Sequence, residues 1–386
     1  MKVVILPTSY PNVYNENSSI FVQDQAKALC KNGVDVNVLG AIPISFKYIW
    51  EKKIFRFGNF KLQDNGISTH LYLFPSIPKL RKFNQFLRNR INKILLKEYL
   101  KHNEIDILHV HNATAGKAAL WVKNNYNIPY CITEHSSSFA RGNMPTKEMQ
   151  SYQKIYEESS INIAVSRKFS KLLSNIYNLQ FGFIPNVVDT DYFFKNKNKN
   201  KKRNSDKFIF INIANLNKNK NQIMLVNAFF KSFKNNKNIQ LSILGAGSEY
   251  NTLQKEIDIL NMNEQIKLFG FATREKVLKE LKNSDAFVLS SNYETFGVVL
   301  IEAMSCGLPV ISTRCGGPES IIIEKELGIL VEKNNIDVLS NTMKMIYINK
   351  DKYSSDEIRK YVINNFSEKA ISKKLSNIYQ KVVDAN

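Results

Sequence analysis

Metal-binding cysteine patterns are missing from this sequence. Its four cysteines, Cys30, Cys131, Cys306 and Cys315, fall at no spacing that would hold a metal ion, and they read as reduced structural thiols. Long apolar runs are missing too. Nothing approaches the ~20 residues that a membrane-crossing helix requires, and the opening apolar stretch breaks at Pro7, too short for a signal peptide, so it reads as a first strand. Acidic residues are scarce: 34 stand against 54 basic ones, for a net charge of +20. The excess is clustered. Residues 79–101 hold eight basic residues and one acid, residues 195–207 seven and one, together thirteen of the net twenty. Such clustering points to an anionic partner surface. No RNA- or DNA-binding module with base-stacking aromatics accompanies it, so nucleic acid is not expected as a partner. The low-complexity run 195–206 (K-N-K-N-K-N-K-K-R-N-S-D) cannot bury a core and reads as a linker or surface loop.

What is present is an α/β pattern in two halves. At 386 residues and 44% hydrophobic, the chain exceeds what one core usually serves, and two domains are expected. Residues 2–6 form a buried strand, 7–19 a loop rich in Asn, Ser and Pro, 20–31 a helix closed by Gly33, and 34–39 a second strand, a Rossmann-like opening. Residues 79–101 read as a helix with Phe83, Leu87, Ile91, Ile94 and Leu95 on one side, interrupted by Arg90. Such a basic amphipathic helix can lie on an anionic membrane or pack on its own sheet with its lysines in water. A strand at 105–110 ends in His109-Val110-His111-Asn112, a helix follows at 113–123, and a strand at 130–133 delivers Glu134-His135-Ser136 to the sheet edge. After a further strand near 160–166, the second half restarts the pattern. It has strands at 208–214, 240–244 and 266–269 and helices at 223–233 and 275–283. The turn Gly245-Ala246-Gly247 is by itself a weak phosphate-loop signal. Asp189-Thr190-Asp191 reads as turn chemistry, not a metal site. The tail, 366–383, is an amphipathic helix with Ile371, Leu375, Ile378 and Tyr379 in line.

The chain is organised around residues 290–319. The apolar run 286–289 ends in small polar residues, as a buried parallel strand does. Thr295 to Gly297 open a helix that Gly307 and Pro309 close, and a strand at 309–313 leads into the turn Gly316-Gly317-Pro318. Two strand-to-loop switches side by side are where open α/β sheets bind ligands. Glu294 and Glu302, with seven residues between them, can both face a ligand lying across the helix start and accept hydrogen bonds from sugar hydroxyls. The N–H groups of Phe296, Gly297 and Val298 would meet phosphate oxygens, aided by the helix dipole.

This stretch resembles the signature of the retaining nucleotide-sugar glycosyltransferases of family 4. It stands here as Glu294-Thr295-Phe296-Gly297, Glu302-Ala303-Met304, Gly307, Pro309-Val310, Gly316-Gly317 and Glu319. The resemblance implies the GT-B fold: two Rossmann-like domains facing a cleft, with the last helix crossing back to the first domain. The expected division is 1–190 with 367–386 on the acceptor side, a basic linker at 191–206, and a nucleotide-sugar domain at 207–366. It implies roles as well. Glu302 would bind the ribose hydroxyls, and Glu294 the donor-sugar hydroxyls beside the backbone of Phe296, Gly297 and Val298. Gly245 and Gly247 would lie near the nucleotide, with Glu319 closing its turn on the donor side. Lys220 would neutralise the departing diphosphate. His135, matching the family's T-x-H as Thr133-Glu134-His135, would contact the transferred sugar and the acceptor hydroxyl. The family needs no metal or other cofactor.

Two departures stand out. The family's arginine ahead of Lys220 is Asn215 here, so one fork-shaped cation is lost from the diphosphate site. The glycine pair of the first loop is replaced by Ser18 and Ser19, whose hydroxyls can donate instead. The expected activity is transfer from a nucleoside diphosphate sugar, UDP-sugar first, to a hydroxyl of a glycan or lipid-linked acceptor in cell-surface polysaccharide or lipopolysaccharide assembly. The expected place is the cytoplasm, at the inner face of the membrane if 79–101 makes that contact. A non-catalytic nucleotide-sugar-binding partner and a same-fold 2-epimerase are the rival readings.

Overall fold

The apolar runs become the strands of two sheets in the computed structural model, which describes residues 1–64, 66–194 and 207–386. The basic run at 195–206 lies outside the described residues. The chain divides into two units, Met1–Val187 with Glu368–Asn386 and Val188–Ser367. Both are Rossmann-like.

In the first unit the order is β1 (Lys2–Pro7), α1 (Ile20–Lys31), β2 (Asp35–Ser45), α2 (Phe46–Lys52), β3 (Gly58–Asp64), β4 (Ile67–Ser76), α3 (Arg81–Tyr99), β5 (Ile107–His111), α4 (Gly116–Tyr126), β6 (Tyr130–Glu134), α5 (Ser137–Ala140), α6 (Thr146–Glu157), β7 (Ile161–Ala164), α7 (Arg167–Tyr177) and β8 (Phe181–Phe183). The sheet runs β3-β4-β2-β1-β5-β6-β7-β8, parallel except for β3 against β4. β5 and β6 are buried along their whole length, because helices cover both faces of a parallel sheet.

The second unit contains β9 (Phe208–Ile213), α8 (Gln222–Phe233), β10 (Ile239–Leu244), α9 (Tyr250–Ile259), β11 (Ile266–Leu268), α10 (Arg274–Lys282), β12 (Ala286–Leu289), α11 (Val298–Ser305), β13 (Val310–Thr313), β14 (Gly328–Val331), α12 (Ile336–Ile348) and α13 (Ser355–Phe366). Its sheet, β11-β10-β9-β12-β13-β14, is parallel throughout. Arg359 ties the entry to this unit to its helices: its guanidinium donates to the carbonyls of Thr190, Phe193 and Ser305.

Two expectations need correction. The tail is not one helix from 366. Ser367 is extended (ψ 162°) and separates α13 from α14 (Glu368–Asp384), which packs into the first unit against α1 and β5. Ile371, Leu375, Tyr379 and Val382 are its buried line. The apolar stripe read in 79–101 is only in part the buried face of α3, with Leu95 buried and Leu87 and Ile91 half-buried. Phe83 and Ile94 are exposed, while Asn89, Asn92, Leu95 and Leu96 are buried. A polar residue is favoured there because a buried backbone donor needs an acceptor. The Asn92 carboxamide oxygen takes the N–H of Ala41 at 2.7 Å.

Beneath α14, His109 has Nδ1 2.6 Å from the Tyr379 hydroxyl and Nε2 2.7 Å from the Thr133 hydroxyl. Burial lowers its pKa to about 3, so the ring is neutral in the fold. In the unfolded chain it titrates near ~6.5. Its stability contribution is therefore complete above ~6.5 and is lost as pH falls toward 3, where the unfolded chain binds a proton that the fold excludes. Going from pH 7.5 to 5, the wild type is expected to lose about 2 kcal/mol more than His109→Asn, measured by urea unfolding at each pH. Leu375→Ala, at a fully buried position of α14, is expected to destabilise by about 2–5 kcal/mol in the same assay.

Candidate functional site

In the second unit β9 is central, with β10 on one side and β12 on the other. The chain reverses its winding direction between β9 and β12, and the loops leaving these two strands diverge there, which opens a crevice at the strand ends. The loops after β9 and β12 are tied to each other. The Asn292 N–H donates to the Asn219 carbonyl at 2.7 Å, the Asn219 carboxamide to the Tyr293 carbonyl at 3.0 Å, and the Ser290 hydroxyl to the Lys220 carbonyl at 2.8 Å. This brings Lys220 Nζ to 2.5 Å from Glu294 Oε1, which also accepts from the Ser291 hydroxyl at 2.8 Å. Both side chains are mostly buried, 21% and 13% exposed, so the pair is poorly screened.

Glu294 is held from the other side by the loop after β13. Its N–H donates to the Cys315 carbonyl at 2.8 Å, and its carbonyl accepts from Gly317 at 2.9 Å. A Cβ on Gly317 would lie 2.3 Å from Phe296 Cα, so no other residue fits without moving backbone. Gly316 donates to Glu319 Oε2 at 2.8 Å, so Glu319 braces this turn. The Phe296 side chain is 1% exposed and packs edge-on against Phe366. Only its backbone is available to a ligand. Gly297 precedes α11 at φ 101°, a left-handed conformation that favours glycine. Among the described residues, the N–H groups of Phe296, Gly297 and Val298 have no recorded acceptor. Glu302 is buried, in the second turn of α11.

The remaining donor-side residues divide. Asn215 is exposed just beyond β9, and Lys218 is exposed beside it. Gly245 and Gly247 have a packing reason of their own. Cβ atoms there would fall 1.8 Å from the Ala214 carbonyl oxygen and 2.1 Å from that of Leu216, so this turn supports the loop carrying Asn215. The Asp189 carboxylate accepts from the N–H groups of Asp191 and Tyr192 at 3.0 and 2.9 Å, an Asx turn.

In the first unit the corresponding switch lies between β1 and β5, and the Asn112 carboxamide bridges it by donating to the Thr8 hydroxyl at 2.8 Å. The Asn112 carboxamide oxygen also accepts from the backbone of His135 at 2.8 Å. Glu134 is buried and fixes the same turn, accepting from Ala113, His135 and Ser136 N–H groups and from the Tyr156 hydroxyl. Burial raises its pKa. His135 Nε2 lies 2.9 Å from His111 Nδ1, the two rings stacked at 5.1 Å, with Phe21 against the other face of the cluster. Burial lowers the pKa of His135 to about 3, and burial with the neighbouring imidazoles also holds His111 well below the usual imidazole range. His135 Nδ1 is left with no partner among the described residues. Ser19 takes φ 47° at the start of α1, with its hydroxyl 2.5 Å from that of Ser9, and Ser18 donates its N–H to the Asn15 carbonyl.

The geometry thus assembles Lys220, Glu294, Ser291 and the α11 start in one unit, and His135, His111 and Asn112 in the other. Ser291, Asn219, Asn112 and the His111–His135 bond were not singled out from sequence. The His-x-His ending of β5 puts His109 and His111 on one face of the sheet, with ring centroids 4.4 Å apart, and carries no signal for the bond to His135.

Comparison with known proteins bears on the same elements. Residues 18–192 match the model of Glycosyltransferase Family 4, and residues 193–368 that of Glycosyl transferases group 1. An uncharacterized glycosyltransferase of Methanocaldococcus jannaschii is 24% identical over 94% of this chain and 97% of its own length. The D-inositol 3-phosphate glycosyltransferase of an Arthrobacter species is 22% identical over 85% and 81%. Among solved structures, a sucrose-phosphate synthase from Thermosynechococcus elongatus superposes with a TM-score of 0.81 at 18% identity, covering 100% of both chains. An Anabaena protein, HepE, in complex with UDP-glucose superposes with a TM-score of 0.73 at 15% identity, covering 99% of this chain and 100% of its own. The two family matches adjoin and together span most of the chain, each on one of the two Rossmann-like units. This chain is a glycosyltransferase that belongs to family 4, group 1, and has the GT-B fold.

Proposed function

We propose that the protein transfers a sugar from a nucleoside diphosphate sugar, with UDP-sugar the first choice, to a hydroxyl of a glycan or lipid-linked acceptor with retained anomeric configuration. The observation that carries this reading is the Lys220–Glu294 pair beside the unclaimed N–H groups that open α11 at the β9/β12 switch. A diphosphate offers Lys220 a stronger anionic partner and offers those N–H groups acceptors. Glu294 is then released to accept from donor-sugar hydroxyls. Glu302 is assigned the ribose hydroxyls. His135 is assigned the transferred sugar and the acceptor hydroxyl. Its ring is neutral, and the His111 contact leaves Nδ1 as the nitrogen without a protein partner. No metal or other cofactor is assigned.

In this reading the anomeric carbon–phosphate oxygen bond breaks as the acceptor oxygen bonds to the same face of that carbon. The acceptor proton passes to the leaving phosphate, and a nucleoside diphosphate departs. Charge on the leaving group is the main electrostatic demand, and Lys220 meets it without the family's arginine. That the Anabaena structure contains UDP-glucose supports the donor class. A role in cell-surface polysaccharide assembly, with the enzyme in the cytoplasm and in peripheral contact with an anionic membrane through 79–101, completes the proposal.

Thermal unfolding with UDP, GDP, ADP and their common sugars checks the donor. One nucleotide series is expected to stabilise the wild type by about 2.7 kcal/mol at ~100 times its dissociation constant, and to do so little in Glu302→Ala. An unchanged shift in that variant removes Glu302 from the site. His135→Ala is expected to keep donor binding and lose turnover, whereas normal turnover would reject its assignment. Asn215→Arg is expected to tighten nucleoside diphosphate binding about tenfold, by adding a charge-assisted fork at the diphosphate. Unchanged affinity would place the diphosphate elsewhere.

A further inference from the structure

Exposed apolar side chains are concentrated in one part of the first unit. Of the 21 large apolar residues that stand exposed among the described residues, eleven fall within 46–94, and Trp50 (81%) and Phe55 (76%) are the two most exposed. The same stretch contains eleven lysines and arginines against two acids, Glu51 and Asp64.

Sheet register gathers these residues at one edge. β2 and β4 pair in parallel to their last residues, Ser45 opposite Ser76, and β3 begins with Gly58 opposite Leu73. The segment through α2 and 53–57 therefore leaves from and returns to the same end of the sheet from which 77–80 leads into α3. Phe46, Tyr48, Trp50, Phe55 and Phe57 stand on the first segment, and Ile77, Leu80, Phe83 and Phe86 on the second. The first segment is anchored. Ile49 is 3% exposed, and the Tyr14 hydroxyl accepts from the Arg56 N–H at 2.7 Å and donates to the Arg56 carbonyl at 3.0 Å.

Fixed aromatic rings in water with cations between them and few acids are unfavourable on a surface that stays solvated. They match a bilayer interface, where aromatic rings sit at headgroup depth and cations meet anionic lipid. We propose that this edge docks on an anionic bilayer, with Trp50 and Phe55 as the inserted wedge and the lysines and arginines of α2 and α3 at headgroup level. The contact through 79–101 is then the flank of a surface centred on α2. Two cavities adjoin it. One of about 750 Å³ lies between α3, α4 and α6 and is lined by Arg90, Lys93, Lys117 and Lys147. One of about 470 Å³ extends from Lys79 and Arg81 past Arg88 to Asn112 and Ser136. Glu148 also lines both cavities and pairs with Arg81 at 3.0 Å, so their lining is of mixed charge.

The chain has two tryptophans, so Trp121→Phe leaves Trp50 as the sole reporter. This protein is mixed with phosphatidylcholine vesicles, with and without phosphatidylglycerol. Trp50 emission is expected to shift to the blue and become shielded from an aqueous quencher only with the anionic vesicles, and binding to weaken as salt rises. Trp50→Ser with Phe55→Ser is expected to weaken vesicle binding at least about tenfold with an unchanged melting temperature. Lys47→Glu with Lys52→Glu and Lys53→Glu is expected to weaken binding to the anionic vesicles without altering the fold. Vesicle binding with Trp50 emission unchanged, binding unaffected by the Trp50 and Phe55 changes, or self-association through Trp50 in place of lipid binding would each overturn the proposal. None of these readouts requires sugar transfer. Docking without donor binding would leave this inference standing and reject the proposed sugar transfer, whereas donor binding without docking would reject this inference and the membrane contact and leave the proposed sugar transfer standing.

Discussion

The donor-side geometry depends on a contact between two loops that has no room for a side chain. The turn after β13 lies against residues 294–296 so closely that a Cβ on Gly317 would fall 2.3 Å from the Phe296 backbone. The hydrogen bonds of Glu294 to Cys315 and Gly317 lock the two loops together. Backbone contacts of this kind leave few rotatable bonds between the sheet and the site. Glu294 is therefore held by its main chain, and its carboxylate enters the β9/β12 crevice at a depth set by strand ends. The N–H groups of Phe296, Gly297 and Val298, which follow Glu294 and Thr295 into α11, are placed by the same arrangement.

The electrostatics follow from that placement. Glu294 would be an isolated anion in a partly dry crevice if Lys220 were absent, and Lys220 an isolated cation without Glu294. Leaving either charge alone there is unfavourable. Together they neutralise each other, and a ligand that carries negative charge for the lysine and hydroxyl donors for the glutamate can divide the pair between its own groups. A ligand with only one of these parts cannot. In the proposed reading the pair favours a molecule that joins a phosphate to a sugar over either part alone.

Much of this was legible in the sequence, because the helix start, the carboxylate spacing and the glycine turn are local. The parallel strands were legible as well, since burial on both faces makes them continuous apolar runs. The segment from 46 to 76 was not. β3 is a mostly exposed edge strand and α2 buries only Ile49, so these two carry weak patterns, although β4 beside them does alternate buried and less buried residues. The face of α3 was left open because its stripe is split: Leu95 is buried and Phe83 and Ile94 are exposed, and the burial of Asn92 answers a backbone donor at Ala41 that no helical period reveals. The His111–His135 bond and the Tyr379–His109 contact join residues 24 and 270 positions apart, and no window along the chain contains the second.

The low glycine content sharpens what the remaining glycines mean. Of the nine non-glycine residues with positive φ among the described residues, six are asparagine: Asn112, Asn127, Asn178, Asn221, Asn261 and Asn334. Asparagine tolerates the left-handed region, so this chain often satisfies a φ requirement without glycine. It does not do so where backbone runs against backbone, as at Gly245, Gly247 and Gly317, because no side chain of any kind fits there. The same distinction applies to the first loop. Ser19 stands at φ 47°, in the region that glycine favours, and its hydroxyl meets that of Ser9. That position asks for a conformation that serine can adopt at modest strain. The missing glycine pair therefore does not remove the turn that presents the loop after β1. It changes what the turn presents, replacing bare backbone with two hydroxyl groups.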